Sequence, residues 1–253
     1  MPMTMKDQSY LGSGKVLARE YGVPGPFIDV GNCSALNFSP QTNAITLADH
    51  TQPGGGERNR VDRLTGVELS YTFHDFAPEN LARAMRGTVT NVIAGNAVDE
   101  AVVGYKGGLV PLLRIAKTIT AVKPASGSTS YEAGKDYVLQ DGALFIPADS
   151  TIADPVEGGA NLKVTYAFGA QSVLQPIVTA AKQYQLLFLG LNEAQSGKAV
   201  RILAHRVSGG VMAQFSAIGD EHGAGEVTGA LMTDSTKGAG LSRYFEVVQE
   251  VIA

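Results

Sequence analysis

The sequence predicts a mainly β protein, with a large core, one flanking helix and a small all-β module inserted into the core. Three observations lead there. Thirty glycines are spread through 253 residues, with Val, Ile, Thr and Tyr recurring between turn signals about every ten residues. "GVELSYTFHDF", Gly66 to Phe76, alternates Val67, Leu69, Tyr71 and Phe73 with Glu68, Ser70, Thr72 and His74, the period of a half-buried strand. From about Ile115 to Gly169 the texture changes to short strands joined by Gly, Ser, Asp and Pro.

Taken in order, "GKVLAREYG", "GPFIDVG" and "TNAITLAD" read as early strands. A glycine-rich stretch, "HTQPGGGERNR", leads into the alternating strand as an excursion between strands. One helix is expected, in "APENLARAMRG". Pro78 suits its first turn, Glu79 its amino end, Leu81 and Met85 one shared face, Arg86 the last turn and Gly87 the terminus. "KTITAV", "YEAGKDYVLQDGALFIP" and "GGANLKVTYAFG" form the small module, with a hairpin turn at Gln140-Asp141-Gly142. Longer strands return in "YQLLFLGLN", "GKAVRILAHRV", "VMAQFSAI", "GAGEVTGALMTD" and "LSRYFEVVQEV". The expected division is residues 1–112 for the first part of the core, 113–171 for the inserted module and 172–253 for the second part.

Composition narrows the function classes. A hydrophobic content of 44% supports an ordinary packed interior. A single cysteine, Cys33, excludes an intrachain disulfide framework and reads as a buried structural thiol. The net charge of -4, with no run of Lys and Arg, argues against general attraction to nucleic acid. No segment has the length of a signal peptide's apolar stretch or of a membrane span.

No motif in the sequence carries a recognisable chemistry. Lys15, Lys135 and Lys198 each follow a glycine, but Val16, Asp136 and Ala199 stand where a phosphate loop needs Ser or Thr. The glycines at 54 to 56 lead into a strand, whereas phosphate loops lead into a helix. "GAGEVTG" places its third glycine one position late for a dinucleotide fingerprint and reads as a strand. His50, His74, His205 and His222 show no metal-ligand spacing, and there is no Gly-x-Ser-x-Gly elbow. No catalytic, cofactor-binding or metal-binding residue is expected, and the chain is not expected to be an enzyme.

Against that background, "GGGERNRVDRLTGVELSYTFHDFAPENLARAMRG" resembles the glycine loop, strand and outer helix of major tail tube proteins of long-tailed, siphovirus-like bacteriophages. "LGLNEAQSGKAVRILAHRV" and "GEVTGALMTDSTKGAGLSRYFEV" are similar to the closing strands of that family, and "YEAGKDYVLQDGALFIPADSTI" to the small immunoglobulin-like modules that extend such proteins. The resemblance covers most of the chain. It implies a β-sandwich or half-barrel core with one flanking helix, six copies closing into a ring, and rings stacking into the tube that delivers the genome. The implied partners are copies of the chain itself and other tail proteins such as tape measure, tail tip and terminator. DNA would pass through the lumen without specific binding, and the implied location is the virion tail, assembled in the host bacterial cytoplasm.

Within that picture Gly54, Gly55, Gly56, Arg58, Arg60 and Arg63 form a flexible arm that orders on a neighbouring subunit or ring, the arginines pairing with carboxylates there. The alternative is a carbohydrate-binding or adhesive protein of two β modules, which the absence of Trp disfavours.

Overall fold

The structure, a computed structural model, describes residues 7–250. The strands run β1 (Gly12–Glu20), β2 (Ile28–Asp29), β3 (Cys33–Ala48) and β4 (Glu57–Phe73), followed by helix α1 (Pro78–Ala84). Then come β5 (Thr88–Val92), β6 (Gly95–Val102), β7 (Gly108–Val110), β8 (Ala116–Pro124), β9 (Val138–Gln140), β10 (Ala143–Ile146), β11 (Leu162–Phe168) and β12 (Gln171–Gln175). The chain closes with β13 (Gln183–Asn192), β14 (Lys198–Ser208), β15 (Gly225–Leu231) and β16 (Phe245–Gln249).

The chain divides into two compact units, one running to Val89 and resuming at Leu174, the other spanning Thr90–Val173. The division at 112/113 expected from sequence is therefore too late. The reason is long-range pairing: β6 runs antiparallel to β11 from Leu162↔Val102 to Phe168↔Gly95, so residues well before 113 complete the second unit's sheet. β5 and β12 pair in a two-stranded sheet of their own.

The first unit is built on one eight-stranded sheet in the order β2-β1-β13-β14-β15-β4-β3, with β16 also paired to β14. The alternation in β4 is realised: Val67, Leu69, Tyr71 and Phe73 are buried and contribute to a cluster with Val16, Leu186, Val207 and Val227. The sheet curls enough for Phe38 of β3 to stack on Phe245 of β16, ring centroids 4.8 Å apart. Helix α1 starts at Pro78, which gives up no hydrogen bond in a first turn, and buries Leu81 and Ala84 in the same cluster. Its end differs from the expected one. Arg86, not Gly87, takes the left-handed conformation (φ 50°), while the Gly87 N–H reaches back to the Ala82 carbonyl at 2.7 Å. The basic residue of its last turn is Arg83.

The second unit holds two three-stranded antiparallel sheets, β7-β10-β9 and β6-β11-β8, around a cluster in which Leu144, Ile146, Leu162, Val164 and Tyr166 are sealed from solvent. Gln140 pairs with Ala143 across a two-residue turn, and Asp141 and Gly142 both have positive φ (51° and 77°). That is the conformation a tight hairpin demands.

Two further expectations are corrected. "VMAQFSAI" is not a strand: Met212 makes one isolated bridge to Val227, and Ile218 is 96% exposed. Both neighbours of β15 in the sheet are already strands, β14 and β4, so this segment finds no ladder to extend. Cys33 is half-buried rather than fully buried, although burial, reinforced by Asp29, still pushes its thiol up to about 11.

Candidate functional site

β3 and β4 form a hairpin paired from Cys33↔Phe73 to Ala48↔Glu57. Its two halves have different environments. Near the sheet, Leu36 and Phe38 pack against the core and β4 alternates buried with open positions. From Gln41 to Ala48 and from Glu57 to Thr65 every residue is exposed on both faces. At about 3.3 Å per residue this two-stranded ribbon extends some 25 Å past its last core contact. Pro40 stands at the junction, tolerated because β3 is an edge strand, with no ladder on its outer side among the described residues.

The register sorts the ribbon's side chains onto two faces. Ile45 opposes Val61, Leu47 opposes Asn59 and Asn43 opposes Arg63, all on one face. The other carries Thr42 opposite Leu64, Ala44 opposite Asp62 and Thr46 opposite Arg60. Ile45, Leu47, Val61 and Leu64 are each about half exposed, at 46, 54, 46 and 53%. The first face is thus an apolar stripe flanked by amides and Arg63, and the second is more polar.

The residues expected to form a flexible arm are placed differently. Gly54, Gly55 and Gly56 do lie in the connection at the tip. Gly54 has φ 75°, which favours glycine there, and a side chain at Gly55 would collide with the Asp49 carbonyl. The tip is held by the Asp49 N–H donating to the Gly56 carbonyl (2.8 Å) and the Gly55 N–H to that of Gln52 (3.2 Å). The Thr51 hydroxyl and amide both donate to the Asp49 carboxylate (2.6 and 2.9 Å) and hold it below the usual carboxylate range.

Arg58, Arg60 and Arg63, by contrast, are strand residues of β4. Arg58 sits at the register shift between Leu47 and Ala48. Arg60 is already satisfied within its own strand, with Asp62 at 3.0 Å and Glu57 at 3.9 Å. Such exposed pairs contribute ~0–1 kcal/mol each. Among the described residues neither Arg58 nor Arg63 has a carboxylate partner. The structure brings the glycines together at the tip and spreads the arginines along an ordered ribbon. Neither strand by itself marks Ile45, Leu47 and Val61 as one surface; their shared face follows from the pairing of β3 with β4.

An isolated two-stranded ribbon is marginal in water, and this one leaves an apolar stripe open to solvent. What the arrangement exposes is backbone edges, half-buried branched side chains and, among the described residues, the guanidinium groups of Arg58 and Arg63 without a carboxylate. Elsewhere, His74 is held by Ser34 and Gly223 (2.9 and 3.1 Å), and among the described residues no group of three or more His, Cys, Asp or Glu is placed to hold a metal.

The chain matches a family model described as a protein of unknown function, UCP028589, over residues 9–248. No curated protein matches it.

Proposed function

From a chain that belongs to the UCP028589 family, we propose a self-assembling structural protein, the ring-forming tail tube subunit of a long-tailed bacteriophage. The observation that carries this reading is the β3–β4 ribbon, an extension without a partner among the described residues and with an apolar stripe of Ile45, Leu47 and Val61. Its natural cover is another copy of the chain. The curled sheet adds support: β3, β16 and part of β1 are edges whose N–H and C=O groups neighbouring copies can pair. A head-to-tail contact closed by rotation makes a ring, and the remaining surfaces stack rings into a tube. In this reading six copies form each ring, the second unit is an immunoglobulin-like decoration, and the tube's other partners are tail proteins such as tape measure, tip and terminator. DNA would pass through the lumen unbound, and the protein would reside in the virion tail.

The test is negative-stain electron microscopy of the purified chain over a concentration series, with light scattering on the same samples. Hollow rings or stacked tubes are expected. A monodisperse monomer at every concentration, with the ribbon protected from proteolysis in that state, would count against assembly.

A further inference from the structure

The C-terminal end of α1 borders a cavity of about 180 Å³ whose lining includes Arg83, Arg86, Lys182, Tyr184, Thr179 and Gly209. Its three cations differ in how they are satisfied. Lys182 is matched by Glu20 at 2.8 Å. Arg83 donates to the Asn80 side-chain oxygen (2.7 Å) and Arg86 to the Gly209 carbonyl (2.8 Å), both neutral acceptors. The Nε of each arginine is buried without a hydrogen-bond partner, and neither guanidinium meets a carboxylate among the described residues. Two guanidinium charges that line one cavity without a carboxylate leave N–H groups there for an anion to satisfy.

Neither arginine is needed to finish the helix. The carbonyls of Leu81, Ala82 and Ala84 accept from the N–H groups of Met85, Gly87 and Met212, and those of Met85 and Arg86 accept from Ile177, Val178 and Thr179. The negative end of the helix is thus already met by backbone. Arg86 also occupies a left-handed position, φ 50°, that glycine would take without strain. The cavity wall is held close on the other side as well. The Gly209 N–H donates to the Lys182 carbonyl (2.7 Å), and a side chain at Gly209 would collide with that same oxygen.

We propose that Arg83 and Arg86 form a binding site for an oxyanion, a carboxylate or phosphate group held by the two guanidiniums with Lys182 alongside. Guanidinium forks match the paired oxygens of both groups. The group has two sources, a free small anion or an acidic side chain of a second copy. The site stands whether or not the chain forms tubes.

The experiment uses the full chain, with inorganic phosphate and malonate as probes and chloride at matched ionic strength as the control. Expected is a saturable rise in the thermal midpoint and a calorimetric binding isotherm for the wild type. Arg83→Gln and Arg86→Gly should each weaken binding about tenfold or more, the size of one lost charge-assisted contact. Arg86→Gly suits the left-handed backbone, so its midpoint in chloride reports that the fold is intact, and exposed Lys106→Gln should bind as the wild type does. Sedimentation over a protein concentration series separates the sources. Competition by malonate or phosphate that lowers self-association assigns the site to a second copy's carboxylate, and self-association indifferent to anion assigns it to a free one. A wild-type midpoint and self-association that follow the chloride control with both probes would overturn the proposal, as would full binding by both arginine variants.

Discussion

Replacing Ile45 and Val61 with threonine should raise the concentration needed for self-assembly about 30-fold while leaving monomer stability nearly unchanged. The two residues oppose each other on one face of the ribbon, each 46% exposed. Full burial of such a side chain stabilises by ~1.5–3 kcal/mol, so covering the remaining half is worth ~1 kcal/mol per residue. The pair amounts to ~2 kcal/mol, and ~1.4 kcal/mol is tenfold in an association constant. Threonine keeps the β-branch that favours an extended backbone, so the substitution removes apolar surface without removing strand preference. The assay is sedimentation velocity and light scattering across a dilution series, with urea unfolding of the dilute monomer beside it. An unchanged assembly threshold would refute the claim that the stripe is contact surface. A large fall in monomer stability would show that the side chains serve the chain's own fold instead.

Two predictions concern stability. A side chain at Gly210 would overlap the Thr228 carbonyl oxygen, so Gly210→Ala should destabilise the first unit by about 3 kcal/mol, read as a shifted urea midpoint; a change within experimental error would show that the backbone there yields freely. In the second unit the Asp136 carboxylate accepts from the amides of Glu132 and Thr151 and from the Thr151 hydroxyl (2.9, 2.9 and 2.8 Å). These bonds, with the Glu132 amide foremost, hold it down to about 2. A depressed carboxyl stabilises fully above its unfolded value near 4 and loses that contribution as pH falls toward 2. Thermal midpoints should therefore drop across that window for the wild type and more shallowly for Asp136→Asn; identical acid profiles would refute the assignment.

What the sequence determined by itself is local. Val67, Leu69, Tyr71 and Phe73 alternate strictly enough to fix which face of β4 is buried. Pro78 marks the start of α1, and Asp141-Gly142 marks a turn whose positive φ values few other residue pairs accept. At the candidate site, the glycines identified the tip of the excursion, because left-handed backbone and close approach are glycine's own properties. The tertiary structure decided what depends on partners distant in the chain. Arg58, Arg60 and Arg63 read as loop beside three glycines, yet β3 lies opposite and makes them strand. "VMAQFSAI" carries a strand's residues but meets no open ladder. The unit boundary moved to Val89/Thr90 because β6 answers to β11. Arg86 carries the left-handed turn although glycine follows it, since a helix end is placed by the segments that satisfy its carbonyls, here Ile177 to Thr179 and Met212. Propensity acts over a few residues, whereas strand pairing and charge compensation are settled between segments that meet only when the chain is folded.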